Sequence, residues 1–152
     1  MQQILLDTGI LGKLCHPRRK QNQPVTQWLH KILHEHDEDA IVLLPELADY
    51  ELRRKLLHLI SKGQSSPKSL DRLDGLGRLL DYLPLDTEVM RHAAELWAQC
   101  RRRGWPLSGE KSLDGDVILA AQAQLVGGMI ATTNRKHLEI LVPAKGWEEI
   151  VI

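Results

Sequence analysis

The sequence alternates short apolar runs with longer stretches in which apolar residues recur every three or four positions. The runs at residues 4–6, 41–44 and 129–132 are typical of buried strands, and two further strands are predicted at 83–85 and 147–152. Helical spacing is predicted at residues 25–37, 45–61, 67–80, 87–103 and 112–126, with a short turn at 134–141. This alternation predicts an α/β fold whose mainly parallel sheet is covered by helices on both faces.

Length and composition are those of one ordinary globular domain. The chain has 152 residues, 43% hydrophobic and 26% charged, so we expect a single domain over residues 1–152. Aromatic residues make up only 4% and Phe is missing, which leaves Leu, Ile, Val and Ala to build the core. The formal net charge is zero, which argues against a purely electrostatic nucleic-acid binder but not against an enzyme with a local acidic site.

The cellular location is predicted from three further features. Cys15 and Cys100 have neither metal-type spacing nor a partner framework, which favours a reducing compartment. The N-terminus lacks the pattern of a signal peptide, and no apolar run approaches the length of a membrane span. We therefore expect a cytoplasmic protein without a membrane partner.

Oxygen-bearing side chains follow or flank the predicted strands. Asp7 ends the first strand, Glu51 lies in the helix after the second, Asp114 and Asp116 begin a later helix, and Asn134 follows the strand at 129–132. Sites in open parallel sheets form beyond the carboxyl ends of the strands. Clustered carboxylates repel one another unless a cation neutralises them, and Mg²⁺ and Mn²⁺ take oxygen ligands. Such a metal would activate water for hydrolysis of a phosphate ester.

Each acid also has a purely structural interpretation when taken alone. Asp7 would cap the turn after its strand, and Asp114 and Asp116 would complement the dipole of the helix that they begin. Glu51 would be a solvated residue at the edge of a helix stripe. The spacing of these residues leaves both interpretations open.

Four segments, taken in order, resemble the motifs of PIN domains. They are ILLDT at residues 4–8, PELADYELRR at 45–54, LDGDVILAA at 113–121 and IATTNRKHL at 130–138. The resemblance implies a three-layer α/β/α sandwich with a central parallel sheet. It also implies a metal-dependent ribonuclease of the VapC-type toxins, a homodimer and a cognate antitoxin protein as partner.

The same resemblance implies a set of catalytic and metal-binding residues. Asp7, Glu51 and Asp116 match the acids that bind Mg²⁺ or Mn²⁺ and carry catalysis, and Asp114 and Asn134 match residues that complete the metal shell. The chain departs from the family pattern in three ways. Asn134 stands where many relatives have Asp, Gly9 stands where Asn is common, and Glu46 competes with Glu51 as the second acid.

Further residues are predicted to contact an RNA substrate. Thr8 and Thr133 adjoin the expected metal ligands, and His137 follows in the fourth motif. Arg53 and Arg54 follow Glu51 and would bind phosphates, although a solvated helix face explains them equally well. His30 and His34 have the spacing of a metal pair but lack a third ligand, which favours a solvated face.

Three functions are compatible with this sequence. The first is an endoribonuclease dependent on Mg²⁺ or Mn²⁺, and the second is a non-catalytic PIN fold that binds RNA or protein. The third is a phosphatase with Asp7 as nucleophile, which is disfavoured because Gly9 stands where such chemistry usually places a second acid.

Overall fold

The computed structural model describes residues 1–105, 110–133 and 135–152, and the side chains of all of these except residues 110–113. Strands and helices alternate along this part of the chain. The strands are β1 (Gln2–Leu6), β2 (Ala40–Pro45), β3 (Asp81–Leu83), β4 (Met129–Ala131) and β5 (Ala144–Lys145). The helices are α1 (Thr8–Leu14), α2 (Gln23–Glu35), α3 (Glu46–Ser61), α4 (Lys68–Leu79), α5 (Thr87–Arg103), α6 (Glu110–Val126) and α7 (Arg135–Leu138). Two 3₁₀ turns, Lys20–Asn22 and Trp147–Glu149, complete the elements.

The five described strands form one parallel sheet in the order β3-β2-β1-β4-β5. The chain winds outward from β1 through β2 to β3, then crosses to the other side of β1 to form β4 and β5. The strand order therefore reverses between β1 and β4. Leu6 pairs with Ala131, so these two strands end side by side. A crevice beyond the carboxyl ends of strands at such a reversal is where open α/β sheets bind ligands.

The sheet has a hydrophobic core on each face because neighbouring residues of a strand point to opposite sides. Ile4 and Leu6 of β1 pack with buried residues of α1, α2, α3 and α4. Leu5 between them packs with buried residues of α5 and α6 on the other face. The predicted α/β architecture with helices on both faces of a parallel sheet is thereby confirmed.

Helix α1 was absent from the predicted elements, and it changes how Asp7 is held. Its seven residues include Gly9 and Gly12, which lower helix propensity. The helix forms because Asp7 caps its first turn and because Ile10, Leu11 and Leu14 are buried. The structural interpretation of Asp7 placed a turn after its strand, whereas the chain begins a helix directly at Thr8.

Two predicted strands differ in the structure. The strand predicted at 83–85 is β3 at Asp81–Leu83, displaced toward the N-terminus. The strand predicted at 147–152 is wrong, since Trp147–Glu149 is a 3₁₀ turn and the last sheet pairing is made by Ala144 and Lys145 against β4. The rings of Trp147 and Trp28 lie 6.0 Å apart, so this turn packs against α2.

Two expectations about location concern features of the described residues. None of the described helices is long and apolar enough to cross a membrane. Cys15 and Cys100 are both buried, and both are free thiols.

Candidate metal and nuclease site

Asp7 is buried at the junction of the two central strands. Its Oδ1 accepts a hydrogen bond from the backbone N–H of Ile10 at 2.8 Å, which is the cap of α1. Its Oδ2 accepts from the backbone N–H of Thr133 at 3.1 Å and from the hydroxyl of Thr132. The end of β4 thus holds the carboxylate that follows β1.

Burial raises the pKa of the Asp7 carboxyl group above its ordinary value of 3.8. The hydrogen bonds from Thr132, Ile10 and Thr133 act in the opposite direction because they stabilise the carboxylate, but desolvation outweighs them. The fold therefore places an acid where its negative charge is costly unless a cation lies nearby.

Glu51 reaches the same region from α3. Its Oε1 accepts a hydrogen bond from the Thr8 hydroxyl at 2.8 Å. On its other side it lies against Gly115 of α6, where an added Cβ would stand 3.0 Å from Oε2. Glu51 therefore sits between the first turn of α1 and a side-chain-free position on α6.

The two other acids of this segment have structural partners. Glu46 accepts a hydrogen bond from the backbone N–H of Leu85 at 2.7 Å, which ties α3 to the segment after β3. Asp49 accepts from Arg53 Nε at 2.8 Å and from the Tyr82 hydroxyl at 2.7 Å. Of the two acids that the sequence left as alternatives, Glu46 contacts the segment after β3, whereas Glu51 lies beside Thr8 and Gly115.

Asp114 and Asp116 lie on different sides of α6. Asp116 is half-buried and lines a cavity together with Asp7 and Glu51. The thiol of Cys100 has a raised pKa, mainly because of burial and secondarily because of the negative charge of Asp116. Asp114 is exposed and lines a separate groove between α5 and α6.

Asp7, Glu51 and Asp116 border a space of about 150 Å³, the acid cavity. Thr8, Gly115 and His137 also line it. His137 is half-buried, and its Nδ1 is buried without a hydrogen-bond partner in the described part of the chain. The acid cavity lies beyond the ends of β1 and β4, where the strand order reverses.

The donor set of the acid cavity fits a hard divalent cation. Three carboxylates from three separate segments offer oxygen, the ligand that Mg²⁺ and Mn²⁺ prefer. Gly115 keeps side-chain bulk away from Glu51. Within residues 1–105, 110–133 and 135–152, however, no three His, Cys, Asp or Glu side chains are grouped as a metal site. The carboxylates share a cavity but would have to draw closer around an ion.

Two other predicted site residues, Thr133 and Arg53, are not among those that line the acid cavity in the described part of the chain. Thr133 is exposed, and a Cβ at Gly9 would stand 2.7 Å from its hydroxyl, which accounts for glycine at that position. Arg53 forms ion pairs with Asp49 and Asp74 at 2.8 Å each. Asn134 lies outside the described residues.

Arg54 stacks over the ring of Tyr50, with its guanidinium carbon 5.0 Å from the ring centroid. Neither Arg53 nor Arg54 lines the acid cavity.

Two residues at the site were not singled out from the sequence. Thr132 was noted only as a strand end, yet its hydroxyl bonds the buried Asp7 carboxylate. Gly115 lies between Asp114 and Asp116 and makes room for Glu51. A helix-interior glycine flanked by acids was the available signal for a close approach.

Comparison with known proteins relates this architecture to one family. A family model described as the PIN domain matches residues 4–140. No curated protein matches the sequence significantly. The fold is similar to solved structures of FitAcB from Neisseria gonorrhoeae, with 21% identity, a TM-score of 0.71 and coverage of 97% of this chain and 99% of that one.

Two further structures have the same fold. VapBC2 from Rickettsia felis, solved with a DNA fragment from its promoter, has 15% identity and a TM-score of 0.69, covering 96% of this chain and 99% of that one. VapBC-1 from nontypeable Haemophilus influenzae has 14% identity and a TM-score of 0.69, covering 97% and 100% respectively. The family match spans most of the sequence and agrees with the order of the four motifs, so this chain belongs to the PIN domain family.

Proposed function

We propose that this protein is an endoribonuclease that depends on Mg²⁺ or Mn²⁺ and acts as the toxin of a toxin–antitoxin pair. The observation that carries the proposal is the meeting of Asp7, Glu51 and Asp116 in one cavity at the reversal of strand order. The chain also belongs to a family of nucleases. Catalysis through carboxylates and a cation needs no Ser, Cys or His nucleophile.

Each residue of the acid cavity has a specific part in this proposal. Asp7, Glu51 and Asp116 would hold the ion, with Asp7 kept in one orientation by Thr132 and the backbone of Thr133. The bound cation would act as a Lewis acid that activates water and offsets charge on the scissile phosphate. The Thr8 hydroxyl orients Glu51.

His137 would contact the substrate from the wall of the acid cavity. Its imidazole borders the cavity and would donate a hydrogen bond to a phosphate or ribose oxygen. Thr133, exposed beside Asp7, would contribute a second polar contact, and Asn134 is proposed to complete the metal shell.

The test is cleavage of labelled single-stranded and hairpin RNA by wild-type protein in Mn²⁺, with EDTA as the metal-free control. Asp116→Asn preserves the shape of the side chain and removes its charge, and we expect it to abolish cleavage. RNA left intact by wild-type protein in Mn²⁺, or cleaved equally by Asp116→Asn, would refute the enzymatic proposal.

A non-catalytic PIN module is the second candidate function. It is favoured by the observation that no three acidic or other metal-binding side chains are grouped as a metal site among the described residues. Binding of RNA or protein without any Mn²⁺-dependent turnover would support this candidate over the enzyme.

An antitoxin partner is proposed from the similarity of the fold to those of VapBC and FitAcB. Expression of this chain in a bacterial host is expected to arrest growth, and expression of Asp116→Asn is not. Coexpression of a small reading frame from the adjacent genomic region should restore growth and should copurify. Such a protein would act in the cytoplasm, in keeping with its two free cysteines.

A homodimer is also proposed. Met90 and Trp97 of α5 are 45% and 39% exposed and border an apolar groove of about 390 Å³ against α6. Covering these side chains would remove apolar surface from water. Light scattering should give twice the monomer mass for wild-type protein, and Met90→Glu should shift it toward the monomer.

A further inference from the structure

We propose that a cationic groove beside the acid cavity binds the sugar–phosphate backbone of the RNA substrate. The cationic groove is the cleft bordered by Lys13, His16, Arg19 and Lys55. It lies between α1 with its following loop and α3 with the loop that leads to α4. This inference rests on the proposed function, because it concerns the path of the substrate toward the same site.

The groove adjoins the acid cavity. Thr8 and Gly9 line both spaces, so the first turn of α1 borders each of them. The groove has a volume of about 450 Å³, against about 150 Å³ for the acid cavity. A strand whose scissile phosphate enters the acid cavity would therefore have the larger space beside it.

The charge of the groove is of one sign. Lys13, Arg19 and Lys55 contribute three cations, and no described residue that lines the groove carries a carboxylate. None of these three forms an ion pair with any residue of the described ranges. Since the whole chain has zero formal net charge, this cluster is a local separation of charge beside an acidic pocket.

The contrast with Arg53 identifies which cations are available for phosphate. Arg53, which the sequence suggested for this role, is occupied by Asp49 and Asp74. Lys55 lies two residues further along α3 and is exposed in the groove. A cation without a carboxylate partner binds a phosphate without first losing an existing ion pair.

The loop that carries His16 is held in place by the fold. The buried Asn22 donates from its side-chain nitrogen to the His16 carbonyl at 3.0 Å, and Arg72 donates to the neighbouring Cys15 carbonyl at 3.2 Å. His16 Nδ1 donates to the Gly12 carbonyl at 3.0 Å, which leaves Nε2 as the other hydrogen-bonding atom of the ring. The groove is thus a formed surface whose polar groups have fixed positions.

The floor and far end of the groove suit the uncharged parts of a nucleotide. Leu52, Leu56 and Leu59 line its floor, and Gln64 and Ser65 line the end near the loop before α4. Apolar side chains beside unpaired cations suit a ribose flanked by phosphates. An acidic protein segment is the competing occupant, and binding measurements separate the two.

The experiment measures RNA binding separately from cleavage. Fluorescence anisotropy of a labelled single-stranded RNA would be titrated with protein carrying Asp116→Asn, so that the RNA stays intact. The test variant adds Arg19→Ala and Lys55→Ala, both at exposed positions of the groove. The matched control instead adds Lys31→Ala and Arg78→Ala, which are exposed on α2 and α4 and do not line the groove.

The expected result is a loss of affinity confined to the groove variant. Removing two phosphate contacts should weaken binding roughly tenfold. Between about 50 and 200 mM salt, the plot of log K against log salt should become less steep by about 1.4. The control should keep both the affinity and the salt slope. Equal affinities for the groove and control variants, or no saturable RNA binding by the parent protein, would overturn the inference.

The outcome for cleavage is read independently. Groove-dependent RNA binding without any Mn²⁺-dependent cleavage would defeat the proposed enzyme but leave the groove as an RNA site. Cleavage with the same KM in wild-type protein and in Arg19→Ala/Lys55→Ala would defeat the groove alone. Loss of binding to a protein partner, with RNA binding unchanged, would assign the groove to that partner and also overturn the inference.

Discussion

Substitution of Gly115 by Ala separates metal binding from stability. Gly115 lies within α6, where Ala is favoured over Gly by about 1 kcal/mol. The added Cβ would stand 3.0 Å from Oε2 of Glu51 and 3.6 Å from its carboxyl carbon. Glu51 must then move by a few tenths of an ångström, and its 2.8 Å hydrogen bond from Thr8 resists that movement.

The expected effect on metal affinity is larger than the effect on folding. The gain in helix propensity offsets the cost of displacing Glu51, so the free energy of unfolding without metal should change by less than about 1 kcal/mol. A metal ligand moved from its position should lose affinity, and disturbance of groups that orient ligands typically costs about 10- to 100-fold. We therefore expect near-normal stability together with weak Mn²⁺ binding and slow cleavage.

Gly75 provides the matched control for this substitution. It lies in the interior of α4, and an added Cβ would meet only Arg78 Nη2 at 4.0 Å. Gly75→Ala should raise the free energy of unfolding by up to about 1 kcal/mol and leave the site unchanged. Urea unfolding in EDTA and calorimetric titration with Mn²⁺ would be measured on both variants. Wild-type Mn²⁺ affinity and cleavage in Gly115→Ala would refute the assigned position of Glu51.

Three other predictions test neighbouring parts of the account. Glu46→Ala should destabilise the fold by about 1–3 kcal/mol in urea, because the Leu85 N–H loses its acceptor, and should leave Mn²⁺ affinity unchanged; loss of metal binding with normal stability would reverse the assignment. Burial raises the pKa of Asp7 in the folded protein. Without metal, the stability of wild type relative to Asp7→Asn should therefore be greatest at pH values below 3.8, the ordinary pKa of Asp. This advantage should be lost as the pH rises through the folded-state pKa. Parallel pH profiles of the two proteins in EDTA would contradict this. Asp114→Asn should retain cleavage that Asp116→Asn abolishes, because only the latter borders the acid cavity.

The sequence predicted a strand or helix correctly where one local pattern, an apolar run or a helical spacing, dominates the segment. The apolar runs of β1, β2 and β4 are bounded by polar residues, and α5 was predicted with the bounds that the structure has. Helix α1 escaped prediction because two glycines weaken its propensity, and the burial of Ile10, Leu11 and Leu14 that stabilises it depends on tertiary contacts. The segment after Gly146 is rich in apolar residues, but strand pairing requires a partner that composition does not specify.

For the candidate site, the sequence predicted only which residues lie at the carboxyl ends of the parallel strands. Parallel strands end at a common edge, so the meeting of Asp7 with residues after β4 followed from the order of elements. Asp114 and Asp116 were both predicted as ligands, but residues two apart on a helix do not face the same side, and only Asp116 borders the acid cavity. Glu46 and Arg53 contact partners distant in sequence, which local patterns do not reveal.

The binding of one ion by Asp7, Glu51 and Asp116 is tested most directly by anomalous diffraction from crystals grown with Mn²⁺. The account predicts a manganese peak in the acid cavity, with carboxylate oxygens of Asp7 and Asp116 in its coordination shell and Glu51 bound directly or through water. A crystal saturated with Mn²⁺ that shows no peak there, or a peak held by other residues, would contradict the account.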